Sequence, residues 1–162
     1  MRFSLHPLST SDLKALEASQ FPEGFSGRAV PDSMPPAFVA SRALQLEAAA
    51  EAPPVPTSYL IVRLEDSRFV GACGFKTGLG ERRVEVGYGV APSAQGQGAA
   101  TTALKLLAEV AFSSGSTEVL AEVAPDNIAS LRVVQKAGFV LVGERRDEDD
   151  GLVTLWVLRS GA

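Results

Sequence analysis

"EVGYGVAPSAQGQGAATTALKLLAEVAF", residues 85–112, decides how the rest of the chain is read. Glu85 to Val90 has the texture of a strand, Ala91-Pro92-Ser93 interrupt it, and from Ala99 apolar residues recur at helical spacing. A strand that runs through a short glycine-bearing loop into a helix presents several unpaired backbone N–H groups to one point, where the helix N-terminus adds partial positive charge. That point attracts an anion. Gly96 and Gly98 remove the Cβ atoms that would hold a phosphate away, and Ala99 and Ala100 allow the same approach at small steric cost. Tight packing of a helix on a sheet is the alternative use of the same small residues.

Two phosphate-loop patterns fit poorly. A Walker loop needs a Lys-Ser/Thr pair after its last glycine, where Ala99-Ala100 stand. A dinucleotide fingerprint needs a third glycine where Thr101 stands and opens a parallel βαβ unit, although Glu122 lies roughly 20 residues on, where a ribose-binding acid would be.

Outward from this core, "SYLIVRLE", "RFVGACGFK" and "RRVEVGYGV" are short β-rich runs divided by turn residues, an antiparallel meander. "RFSLHPL" reads as a first strand and "STSDLKALEASQ" as a capped short helix. In "PAFVASRALQLEAAAEA", Val39, Ala43, Leu46 and Ala50 share helical spacing before "PPVPTS" ends the helix. After the central helix, whose apolar face carries Ala100, Ala103, Leu104, Leu107 and Ala111, comes the strand "EVLAEV". "PDNIASLRVVQKAGF" follows as a helix with Asp126 or Asn127 as cap and Gly138 at its end. "FVLVGERR" and "LVTLWVLRS" form a closing hairpin around the solvated turn "DEDDG". Strands and helices in this order imply an α+β chain with helices packed on a mixed sheet.

At 162 residues, 46% hydrophobic and 21% charged, the chain has the composition of one globular domain. A net charge of -4 offers no basic field for nucleic acid. The absence of any apolar run long enough for a bilayer, and of a secretion-signal pattern at the start, makes cytoplasmic the expected location. One cysteine, Cys73, and one histidine, His6, leave neither an internal disulfide nor a Cys/His zinc site, and no metal is expected. Cys73 and Trp156 read as packing residues.

The pattern Gln95-x-x-Gly98-x-Ala100, preceded by "VEVGYGV" and followed by "VLAEV" and then Asn127-x-x-Ser130 and Lys136-Ala137-Gly138-Phe139, resembles the acyl-CoA-binding core of the GNAT superfamily of N-acetyltransferases. "N-x-x-S…KAGF" is most similar to its RimJ/RimL-like branch. The resemblance implies a GNAT-like fold with a mostly antiparallel mixed sheet of about six to seven strands, splayed at the CoA site, with helices on both faces. It implies a single domain over residues 1–162, with acceptor-side helices and loop over 1–57 and the acetyl-CoA-binding core over 58–162. Acetyl-CoA is then the co-substrate and a primary amine, either a protein N-terminus or a small molecule, the acceptor; a homodimer stays open.

By this resemblance the amides of Gln95, Gly96, Gln97, Gly98, Ala99 and Ala100 hold the CoA pyrophosphate. A bulge at Gly87 to Gly89 splays the strand, Tyr88, Gly89 and Val90 border the pantetheine arm, the N–H near Val90 supports the thioester oxyanion, and Asn127 touches the arm. Glu85 and Glu122 are the candidate bases. Where many relatives carry a tyrosine acid this chain has Val133 and Val134, so Ser130, one helical turn beyond Asn127, is the candidate acid, with Tyr88 as the weaker alternative. The missing tyrosine keeps a second reading open, a catalytically silent acyl-CoA-binding module. Residues 21–37, rich in proline and glycine yet carrying Phe21, Phe25 and Met34, are expected to wall the amine pocket, with Phe25 facing the acceptor.

Overall fold

The computed structural model describes residues 1–50 and 55–161. Its elements are β1 (Phe3–Pro7), α1 (Thr10–Glu17), α2 (Ala37–Ala49), β2 (Ser58–Arg63), β3 (Arg68–Phe75), β4 (Arg83–Val90), α3 (Ala99–Ser113), β5 (Glu118–Val123), α4 (Ile128–Lys136), β6 (Val140–Asp147) and β7 (Gly151–Arg159). The strands form one sheet in the order β1-β2-β3-β4-β5-β7-β6. Every neighbouring pair is antiparallel except β4 with β5. The expected α+β architecture and element order are those observed.

Local chemistry sets the ends of the helices. Ser9 Oγ accepts from the Asp12 N–H while Asp12 Oδ2 accepts from the Ser9 N–H, a reciprocal cap that starts α1. Asn127 caps α4 by accepting from the Ser130 N–H at 3.1 Å, and Gly138 beyond it adopts φ 92°, the left-handed conformation in which a side chain would strain the backbone. The proline-rich stop expected after α2 falls on Pro53 and Pro54, outside the described residues.

Helices cover both faces of the sheet. On one, α3 buries Ala99, Ala103, Leu104, Leu107 and Ala111 against Ile61, Val84, Val86 and Val119, and α4 adds Val134. On the other, Leu13 and Leu16 of α1 and Ala40 and Ala43 of α2 pack on Leu60, Val62 and Phe69. The buried face of α2 is therefore rotated from the one its apolar spacing suggests: the small Ala40 and Ala43 let its backbone approach the sheet, and Val39 is turned aside.

The segment between α1 and α2 has two halves with different environments. Phe25 packs against His6 and Phe69, with ring centroids 5.6 and 5.0 Å away, and Arg28 stacks on the Phe69 ring at 4.2 Å. Backbone bonds from Val30 N–H to Phe69 O and from Phe69 N–H to Arg28 O pin this half to the start of β3. Only from Asp32 to Pro36 does the segment reach the cavity described below. Phe25 is thus a packing residue, contrary to its expected place beside the acceptor. Phe25→Ala is expected to cost about 2–4 kcal/mol of stability in denaturant unfolding, while KM for the acceptor changes little.

Candidate active site

Strands β4 and β5 run parallel but pair only from Arg83↔Glu118 to Glu85↔Leu120. Glu118 fastens that closed end, its carboxylate meeting Arg83 at 2.7 Å, Arg82 at 3.2 Å and Arg159 at 3.3 Å. The hydrogen bond from Arg83, with the charges of its neighbours, holds the carboxyl below the usual range. Past Glu85 and Leu120 the two strands part.

What faces the gap follows from strand alternation. Lys76 N–H donates to Glu85 O and Ala91 N–H to Val70 O, so residues 85, 87, 89 and 91 turn their peptide groups toward β3. Those of Tyr88 and Val90 turn the other way, into the gap. The expected bulge at Gly87 to Gly89 is absent: β4 keeps an unbroken register with β3 from Gly71↔Val90 to Phe75↔Val86. The opening arises because β5 diverges. The glycines serve another purpose, making with Ala72 and Gly74 the low floor of a cavity of about 560 Å³ under α2 and the 32–36 segment. Close approach is required at Gly71, where an added Cβ would lie 2.3 Å from Gly89 O.

At the end of β4, Gly96 and Gly98 adopt φ 77° and 91°. Gly98 is the N-cap of α3 and supplies no side-chain bond, so the first amides of the helix keep their free donors. A Cβ at either glycine would meet nothing in the protein within 4 Å, so the space over the loop is open. Arg63, itself paired with Asp66, donates to Gln97 Oε1 at 3.0 Å and braces the loop from the end of β2.

At the other end of the gap, Tyr88 of β4 meets Ser130 of α4, hydroxyl to hydroxyl at 3.1 Å. Burial raises the Tyr88 phenol above its ordinary value, partly offset by the bond to Ser130, so it stays a proton donor through neutral pH. Glu122 on β5 lines the same cavity, with Arg145 of β6 spanning both its oxygens at 2.9 and 2.5 Å. Glu85 lies at the closed end, 3.3 Å from Lys76 Nζ, and does not line the cavity.

A family model described as an acetyltransferase (GNAT) domain matches residues 2–140. The chain belongs to the GNAT acetyltransferases. No curated relative matches it in sequence. Solved structures share the fold at low identity. A ribosomal-protein-S5-alanine acetyltransferase from Vibrio fischeri is 15% identical with a TM-score of 0.67, covering 98% of this chain and 93% of that one. A spermidine N-acetyltransferase from Vibrio cholerae is 16% identical with a TM-score of 0.65, over 97% and 93%. An aminoglycoside acetyltransferase in complex with coenzyme A is 18% identical with a TM-score of 0.65, over 98% and 95%.

In this GNAT chain the remaining conspicuous residues are structural. Cys73 is buried, and desolvation pushes its thiol well above the ordinary range. Trp156 is buried in the core cluster on the α3 face of the sheet and donates to Thr154 Oγ1 at 2.9 Å. Sequence reasoning missed Arg42, which lines the cavity from α2. Its signal was present: Arg42 stands one helical turn after Val39, and the two line the cavity from the same side of α2.

Proposed function

We propose that this chain is an acetyl-CoA-dependent N-acetyltransferase, most similar to the RimJ/RimL-like branch, that transfers acetyl directly to a primary amine. The observation that carries this reading is a continuous path. Amides over Gly96 to Ala100, which have no acceptor among the described residues, lead along the gap-facing peptide groups of Val90 and Tyr88 to the Tyr88–Ser130 hydroxyl pair, beside a cavity that admits a second substrate; the Gln95 amide is already bonded to Pro92 O.

The loop amides would take the pyrophosphate, and the peptide edge of β4 would hold the pantetheine arm as a strand holds a neighbour. As the amine nitrogen bonds to the thioester carbon, the Val90 N–H supports the oxyanion. When the carbon–sulfur bond breaks, Ser130 gives its proton to the thiolate and recovers one from Tyr88. The nitrogen's proton leaves toward Glu122, the candidate base that reaches the cavity. Asn127 uses Oδ1 for the helix cap, which leaves its amide N–H groups for the pantetheine carbonyl. The 1–57 region supplies the acceptor side and 58–162 the CoA side.

The reaction is tested by calorimetric titration with acetyl-CoA, then by CoA release with a panel of primary amines. Binding without release from any amine would favour the silent acyl-CoA-binding module, a reading supported by Arg145 occupying both oxygens of Glu122. Within the transferase reading, Glu122→Gln is expected to lower kcat/KM by about a hundredfold and Glu85→Gln by much less. The reverse order would assign the base to Glu85.

A further inference from the structure

We propose that the acceptor is a primary amine that also carries a carboxylate, and that Arg42 receives this carboxylate; the inference rests on the transferase reading above. Four charged side chains line the cavity: Asp32, Arg42, Lys76 and Glu122. Two have partners, Lys76 with Glu85 at 3.3 Å and Glu122 with Arg145 at 2.5 Å. Asp32 is exposed at the rim. Arg42 is half-buried on the cavity side of α2 and makes no ion pair and no side-chain hydrogen bond among the described residues.

A partly desolvated guanidinium without a counter-charge, in a cavity opening on the reaction gap, is a receptor for an anion. Its planar fork matches a carboxylate with two parallel hydrogen bonds, which strengthen as water is excluded. One cation balances one negative charge, which favours a carboxylate over a phosphate dianion. A polyamine finds little here, because Arg145 already neutralises Glu122 and only Asp32 at the rim is left to attract further ammonium groups. Met34 and Phe38 beside Arg42 provide apolar surface for the rest of a small acceptor. The acetylated end of the arm must share the same cavity, which keeps that acceptor small.

The test compares alanine, methionine and 4-aminobutyrate with their carboxamides, and with spermidine, by CoA release. The carboxamides of the α-amino acids hold more neutral amine at a given pH, so this bias runs against the proposal. At least one acid is expected to exceed its amide in kcat/KM by about tenfold or more, and Arg42→Gln to bring that ratio near one. Arg42→Lys, which keeps the charge but loses the fork, should retain part of the preference. Amides matching their acids, spermidine exceeding both, or Arg42→Gln slowing acid and amide alike at unchanged thermal stability would overturn the inference and leave the transferase standing. If Arg42→Gln is unstable, the Arg42→Lys ratio decides: a preference equal to that of the natural chain overturns the proposal and an intermediate one supports it. A chain that binds acetyl-CoA but releases CoA with no amine overturns both readings.

Discussion

Ser130→Ala is expected to lower kcat by about a hundredfold or more while changing the Kd for acetyl-CoA by less than about threefold. General acid catalysis is worth roughly 10²–10⁴, and it acts only as charge develops on the leaving sulfur. The Ser130 hydroxyl accepts from the Tyr88 hydroxyl at 3.1 Å, and both residues line the cavity. The Ser130 peptide N–H is held by Asn127 Oδ1, a bond that alanine keeps, so the helix start survives the substitution. Tyr88→Phe removes the second hydroxyl and should slow turnover less than Ser130→Ala does. If Ser130→Ala weakens acetyl-CoA binding and leaves turnover alone, Ser130 is a binding contact and not the acid. If Tyr88→Phe is the more damaging change, Tyr88 is the immediate donor.

Gly98→Val is expected to raise the Kd for acetyl-CoA by at least about tenfold in a calorimetric titration. Two effects act together. At φ 91° a β-branched residue strains the backbone, which would turn the α3 amides out of line. Its side chain would also project into space that holds no protein atom within 4 Å, the space a pyrophosphate needs. Ala100→Leu separates the two, since Ala100 lies in the first turn of α3 with ordinary helical geometry. It should weaken binding through bulk alone. Unchanged affinity in both variants, with thermal unfolding intact, would remove the loop from the CoA site.

The acceptor side is where sequence and structure diverge most. Apolar residues and prolines between 21 and 37 suggest one functional loop, yet Phe25 anchors on His6 and Phe69 while Asp32 to Pro36 line the cavity. Both halves are loop with buried apolar side chains, and composition does not say against what they are buried. The same holds for β4. Glycine at positions 87 and 89 is compatible with a bulge, with a close approach or with a cavity floor, and only the register with β3 and the divergence of β5 choose the last.

Sequence by itself determined what is encoded over a few consecutive residues. The strand texture of β4, the Cβ-free glycines at 96 and 98, the cap of α1, the start of α4 at Asp126 or Asn127 and the helical spacing of α3 are short-range matters of sterics and hydrogen bonding, legible within one or two turns of chain. The tertiary structure alone decided which distant groups meet: Tyr88 with Ser130 across 42 residues, Glu122 with Arg145 across 23, and Arg42 with a cavity made largely by other elements. Those encounters depend on where β5 leaves β4 and on how closely α2 can settle on Ala40 and Ala43. Both are outcomes of packing the whole sheet, in which no single segment carries the information.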